Sequence, residues 1–409
     1  MFRIPTSLIV LGLASFLTLE KATAVPSNNK PQQALIEGSQ LFAFDMYRQT
    51  SKSEGNVFFS PYSISTGFAM TAAGAQGETA EQMMQVLHMQ THLYPAFFSL
   101  NKQLATVHHS NLSSPTLQLA NAAWVQKELG IQPAFQKTLM QDFGSSMETL
   151  DFAEDPSHAI ETINHWVDQN TKGKIKNILT SADVSQDTRL VLTSAIYMKA
   201  QWLHHFKRDL TREGVFYLKE DKTENATFMG QTAYFPLFAD DTLAVLELPY
   251  VKETAHGPDL AMMIVLPKDK TGLAKLEMGL SAAQWHNWMD QMKTQRVHVV
   301  MPKFKLETRT VLNELMQAMG MKLAFTQKAD FSGITGKPNL YISKAIHQTF
   351  IEVDEKGTEA AAATAISMNV TAMLERDDPY EFLADHPFAF IIFDKNTNVI
   401  LFMGRYARP

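Results

Sequence analysis

Two periodicities divide the chain. In its first half, apolar residues recur at three- and four-residue steps. From Thr79 to His88, Met83, Val86 and Leu87 share one face, and Thr79 with Gln82 has the spacing of a capping box. From Ser157 to Asn170, Ile160, Ile163 and Val167 form one stripe, with Ser157 as the expected cap and Gly173 as the stop. The second half reads as strands. Arg189 to Met198 (RLVLTSAIYM) is apolar on both alternating faces, as a central strand covered on both sides should be. Leu340 to Val353 is a long strand of similar kind. PFAFIIFD and NVILFMGRY flank the polar turn Lys395-Asn396-Thr397 and predict a buried hairpin. With no repeat and no Pro/Gly/Ser linker, the expectation is one α+β domain rich in antiparallel sheet.

Composition sharpens this picture. The 409 residues are 45% hydrophobic and 19% charged, enough for a large core. A net charge of -6 argues against a binder of nucleic-acid phosphates. The absence of cysteine removes disulfides, thiol nucleophiles and thiolate metal sites. At the start, Arg3, the apolar stretch Leu8 to Leu19 and Ala22-Thr23-Ala24 read as an export signal over residues 1–24, cleaved after Ala24. That stretch is too short to span a bilayer, and no later one is long and apolar enough. The expected product is residues 25–409, one soluble domain secreted to the periplasm or the extracellular space.

Catalytic motifs are missing: no G-x-S-x-G, H-E-x-x-H, P-loop or G-x-G-x-x-G. The pairs His108-His109 and His204-His205 are adjacent in sequence, so they do not share a face for metal ligation. Asp240-Asp241 and Asp377-Asp378 read as solvated loop charge. Asn111, Asn225 and Asn369 head glycosylation sequons. No metal site and no cofactor is expected.

One segment stands apart, DEKGTEAAAATAISMNVTAMLERDD from Asp354 to Asp378. Four consecutive alanines favour a helix. Alternation favours a strand: Thr358, Ala360, Ala362, Thr364, Ile366, Met368 and Val370 form a face that grows more apolar. Glu359, Ala361, Ala363, Ala365, Ser367, Asn369 and Thr371 form its polar opposite. Gly357 supplies a backbone pivot ahead of small side chains. Both readings stay open on local grounds.

DEKGTEAAAATA resembles the hinge of the reactive loop in inhibitory serpins, the serine-protease-inhibitor superfamily. The resemblance extends through NVFFSPYSISTGFA (Asn56 to Ala69), NHWVDQNTKGKI (Asn164 to Ile175), LVLTSAIYMKAQW (Leu190 to Trp202), ADFSGIT (Ala329 to Thr335), Ser343 to Ala363 and His386 to Gly404. It implies a metastable fold of three β-sheets and about nine helices, with an exposed loop over about 356–386. It also implies a suicide-substrate inhibitor, not an enzyme. A target protease cleaves the loop and is held as an acyl-enzyme, while the loop inserts into the central sheet. Strand addition by serpin loops is itself a standard example of this recognition mode. From Thr358 to Thr371 the loop would span roughly 45 Å as a strand. Burying Ile366, Met368 and Val370 would add several kcal/mol, at about 1.5–3 each.

The resemblance also assigns residues. The hinge comprises Glu355, Gly357, Thr358, Ala360, Ala361, Ala362 and Ala363. Counting fourteen residues on from Gly357 puts the scissile bond at Thr371-Ala372. The next candidates are Met373-Leu374, for a chymotrypsin- or elastase-like pocket, and Arg376, for a trypsin-like one. Thr371 suits a shallow, elastase-like pocket; a cysteine protease is the other target class. The sheet-opening region maps to Ser60, Ser63, Ser194 and His347, with Ser194 where the family usually carries Asn. Trp202 maps to the top of the sheet, where Glu355 is expected to pair with Lys303. A heparin site is not expected, since Thr91 to Gln118 carries one Lys, Lys102, and no Arg. The expected protein is a monomer. The competing reading is a non-inhibitory serpin serving as carrier, chaperone or storage protein.

Overall fold

The computed structural model describes residues 30–105, 116–218, 222–252, 257–358 and 378–409. The export signal, Ala360 to Ala363, and the scissile candidates Thr371, Ala372, Met373, Leu374 and Arg376 lie outside the described residues. So do His108, His109, Asn111, Asn369 and Asp377.

Among the described residues, fifteen strands make two hydrogen-bonded networks. The central sheet runs in the order β10 (Phe304–Val311), β11 (Lys344–Val353), β12 (Gly357–Thr358), β4 (Leu190–Gln201), β2 (Thr116–Gln126) and β3 (Met147–Leu150). The larger network runs β1 (Val57–Phe59), β15 (Val399–Tyr406), β14 (Phe388–Asp394), β8 (Leu260–Pro267), β7 (Leu243–Pro249), β6 (Thr223–Ala239), β9 (Lys293–Pro302) and β13 (Tyr380–Leu383). In it β5 (Lys207–Tyr217) lies against β6. Two of the three expected sheets are thus joined, because the 17-residue β6 pairs β9 along most of its length and β7 at its far end. Ten α-helices occur among the described residues.

The apolar runs lie where both faces are covered. β8, β14 and β15 are buried at every residue. Phe58 of β1 stacks on Phe390 and Phe402, tying that hairpin to the core. Trp285, from the Ala282–Gln291 helix, packs on Phe44 and Phe393 from the other side.

Local signals fared less well at element ends. The first predicted helix is Gly77–Val86, capped by Gln76 with no side-chain bond. Thr79 and Gln82 do not form the expected capping box. Thr79 Oγ1 accepts the Asp330 N–H at 3.0 Å, and Gln82 Oε1 accepts from Lys322 and Leu323 at 2.9 and 2.8 Å. Both side chains are taken by tertiary ties. The second helix, Pro156–Asn170, is capped not by Ser157 but by Asp155, whose carboxylate accepts the His158 N–H. Pro156 at the first helical position suits that register. β4 continues three residues past its expected end, to Gln201. β11 begins at Lys344 rather than Leu340, because Ile342 and Ser343 donate to Ala324 and Leu190 outside the ladder.

Candidate functional site

The central sheet is split. β4 and β11 run parallel and pair from Val191–Lys344 to Ile196–Thr349, and there the ladder stops. Beyond it, among the described residues, Tyr197 to Lys199 pair with β2 and Phe350 to Glu352 with β10. At the top β12 wedges between them. Thr358 lies antiparallel to both Ala200 and Val353, and Gly357 faces Gln201.

His347 sits under the closed part of the split, fully buried. Its Nε2 accepts the Ser60 backbone N–H at 2.9 Å, so the ring proton belongs on Nδ1, which donates to the Ser194 carbonyl at 3.0 Å. Ser194 Oγ also lies 3.0 Å from Nδ1 and 2.8 Å from Ser63 Oγ. Ser63 donates onward to Asn121 Oδ1 at 2.6 Å. The donors therefore run one way across the sheet, from β11 through β4 to β2. Ser60 caps the Pro61–Ala72 helix through its Oγ, which also donates to the Leu401 carbonyl of β15 at 2.6 Å. Burial pushes the His347 pKa down to about 3, with the Ser194 carbonyl acting in the opposite direction.

Asn121 is a member that sequence reasoning missed. It pairs with Ser194 in the β2–β4 register, and its Nδ2 is buried without a partner among the described residues. A lone amide in the apolar run LANAAWV was the available signal. The shorter Ser194 reaches Ser63 but leaves that amide unanswered.

Residues 354–358 are held at the top of the split by aromatic and polar contacts. Asp354 Oδ1 accepts from the backbone N–H groups of Lys356 and Gly357 at 2.8 and 3.2 Å, folding β11 back into β12. Trp202 donates its indole N–H to the Asp354 carbonyl at 2.9 Å and stacks on Tyr250 at 4.4 Å between centroids. The Tyr250 hydroxyl bonds Thr358 Oγ1 at 2.7 Å. Gly357 has φ +156°, and a Cβ there would lie 2.1 Å from the Ala200 carbonyl oxygen, so only glycine fits. Glu355 is buried, with Lys303 Nζ 3.0 Å from one carboxylate oxygen and the Thr211 hydroxyl donating to the other at 2.9 Å. Burial opposes its ionisation, but its own backbone N–H, Lys303 and Thr211 outweigh that and hold the carboxyl below the usual range.

The other titratable pairs have structural surroundings. His204 sits edge-on to Phe235, and burial lowers the pKa of both His204 and His205. Asp240 accepts from Thr242 and Leu243 in the β6–β7 turn.

Among the described residues, β4 and β11 pair no further than Ile196–Thr349, and β12 lies between their upper ends, antiparallel to both. The chain matches the family described as Serpin (serine protease inhibitor) over residues 37–409. It is 38% identical over 378 residues to an uncharacterized serpin-like protein of Thermococcus kodakarensis, covering 92% of this chain and 86% of that one. It is 39% identical over 379 residues to leukocyte elastase inhibitor of Xenopus laevis, covering 90% and 97%. The structure of Serpin48 from the insect Tenebrio molitor superposes with a TM-score of 0.80 at 30% identity, covering 92% and 98%.

Proposed function

Because the chain belongs to the serpin family, we propose that it inhibits a protease by giving up its own loop as a trap. The protease nucleophile attacks the carbonyl of Thr371. The bond to Ala372 breaks, its amine leaves, and the loop remains esterified to the enzyme. The freed strand then enters the split and carries the protease with it before water can cleave the ester. The chain's contribution is a substrate carbonyl and a fall in free energy, not catalysis.

One observation carries the reading: β12 is registered with both edges at once. From Thr358, facing Ala200 and Val353, six further residues lead to Thr364. Six steps back along each neighbour lead to Ser194 and His347, which already pair with each other. A single inserted strand therefore fits both edges without a slip. A shallow, elastase-like pocket is the favoured target, given Thr371 and the relatives named for elastase inhibition. The reading of residues 1–24 as an export signal makes secretion part of the same proposal.

The test is incubation with a panel of serine and cysteine proteases, followed by denaturing electrophoresis and mass spectrometry. A covalent band, with a released peptide starting at Ala372, is expected. Cleavage with no such band would reduce the protein to a substrate and defeat the proposal.

A further inference from the structure

A single rigid piece is pinned to both sides of the split. The Pro156–Asn170 helix and residues 171–183 lie across the central sheet, against Val191, Ala195, Ile346 and Phe350. Helix and tail are locked together. Asn164 exchanges two hydrogen bonds with the Leu179 backbone, at 3.0 and 2.9 Å. Thr171 Oγ1 donates to Val167 at 2.8 Å and accepts the Ile175 N–H at 3.1 Å.

Its pins fall on opposite lips. On the β2–β4 side, Trp166 meets Trp124 edge-on at 5.6 Å, and the Lys172 ammonium stands 5.8 Å from the Tyr197 ring centroid. Lys172 adopts a left-handed backbone, φ 51°, as the chain turns off the helix. On the β10–β11 side, the buried Asp183 carboxylate pairs with Arg309 of β10 and, at 3.6 Å, with Lys344 of β11. Arg309 Nε also donates to the Ile178 carbonyl at 2.9 Å. Lys174 and Lys305 each stand 5.1 Å from the Phe350 ring centroid. Tyr197 and Phe350 are the first residues past the last β4–β11 pair.

A strand inserted there drives the lips apart by one further spacing, about 4.8 Å. A rigid piece cannot follow both lips, so one set of pins must break. Parting Trp166 from Trp124 would open an apolar gap, whereas Asp183, Arg309 and Lys344 can exchange each other for water. We propose that the contacts of Asp183 with Arg309 and Lys344 are a latch that sets the rate at which the central sheet admits a strand. This rests on the insertion reading above and adds the residues that govern its speed. They act as positioning residues and touch no protease.

The experiment anneals a synthetic 358–371 peptide to the intact, uncleaved chain. Uptake is followed by native electrophoresis and tryptophan fluorescence. Asp183→Asn and Arg309→Gln should take up peptide roughly three- to tenfold faster than wild type. Lys176→Ala, an exposed residue of the same tail, should match wild type. If those two variants fail to fold, Lys344→Gln removes one cation and keeps the Asp183–Arg309 pair; its uptake should still quicken, by roughly twofold. Uptake at the wild-type rate in the folded variants, even with a lower melting point, would overturn the latch and leave insertion standing. A wild-type chain that takes no peptide and gains no stability on loop cleavage would overturn the insertion reading, and the latch with it.

Discussion

The Ser60 backbone N–H donates to Nε2 of His347 across 2.9 Å, at the point where the central sheet is still closed. A second proton on that ring would have to displace the Ser60 donor. The folded ring accepts one only near pH 3, whereas an unfolded histidine does so near 6.5. Between those values the unfolded state binds more protons. His347 therefore leaves stability intact above about pH 6.5 and withdraws it as pH falls toward 3. The loss at pH 5 relative to pH 7 should be about 2 kcal/mol. Thermal melts across this range should show that slope in the wild type and a flatter one in His347→Gln. Parallel slopes would assign the effect to other groups.

Glu355→Lys sets an ammonium against Lys303, in a place where the native carboxylate has partners on both oxygens. A buried charge stripped of its partner costs about 3–5 kcal/mol. The hinge should leave the slot, and heating below the melting point should yield chains linked by one molecule's strand in another's sheet. Native electrophoresis after such heating should show a ladder for Glu355→Lys well before wild type. Equal monomer yields would rule out a closing role for this pair.

Tyr250→Phe removes only the hydroxyl that bonds Thr358 and keeps the ring beneath Trp202. The uncleaved chain should lose about 1 kcal/mol. Thr358→Val should lose a similar amount, and the double variant little more, since one bond is removed in each case. Additive losses in denaturant titrations would mean the two groups act separately.

Gly357→Ala places a methyl group against the Ala200 carbonyl oxygen. The altered chain should fold with β12 expelled. A target protease should then cleave it while forming less covalent complex. A complex-to-cleaved ratio equal to wild type on denaturing gels would show that the pivot tolerates a side chain.

What could be read from sequence was whatever a single segment decides for itself. β4, β14 and β15 carry unbroken apolar runs because both their faces are covered, and their periodicity says so without help. The caps misled because Thr79 and Gln82 answer to Asp330, Lys322 and Leu323, far along the chain. Asn121 became visible only through its register with Ser194. The alanines after Gly357 favour a helix locally, yet Thr358 lies in a strand, because the deciding partners are Ala200 and Val353. Local propensity cannot report a gap that two distant strands create.

If the loop inserts as proposed, β12 changes the kinetic problem that it faces. Starting a strand between two others is the improbable step, since chain ends must be brought together before any contact rewards them. Here Thr358 already pairs with Ala200 and Val353. On the proposed mechanism, what remains is propagation, like a zip fastener whose slider is already seated, racing the water that would free the enzyme. The same head start is open to any foreign strand able to displace Thr358, so readiness and vulnerability share one address.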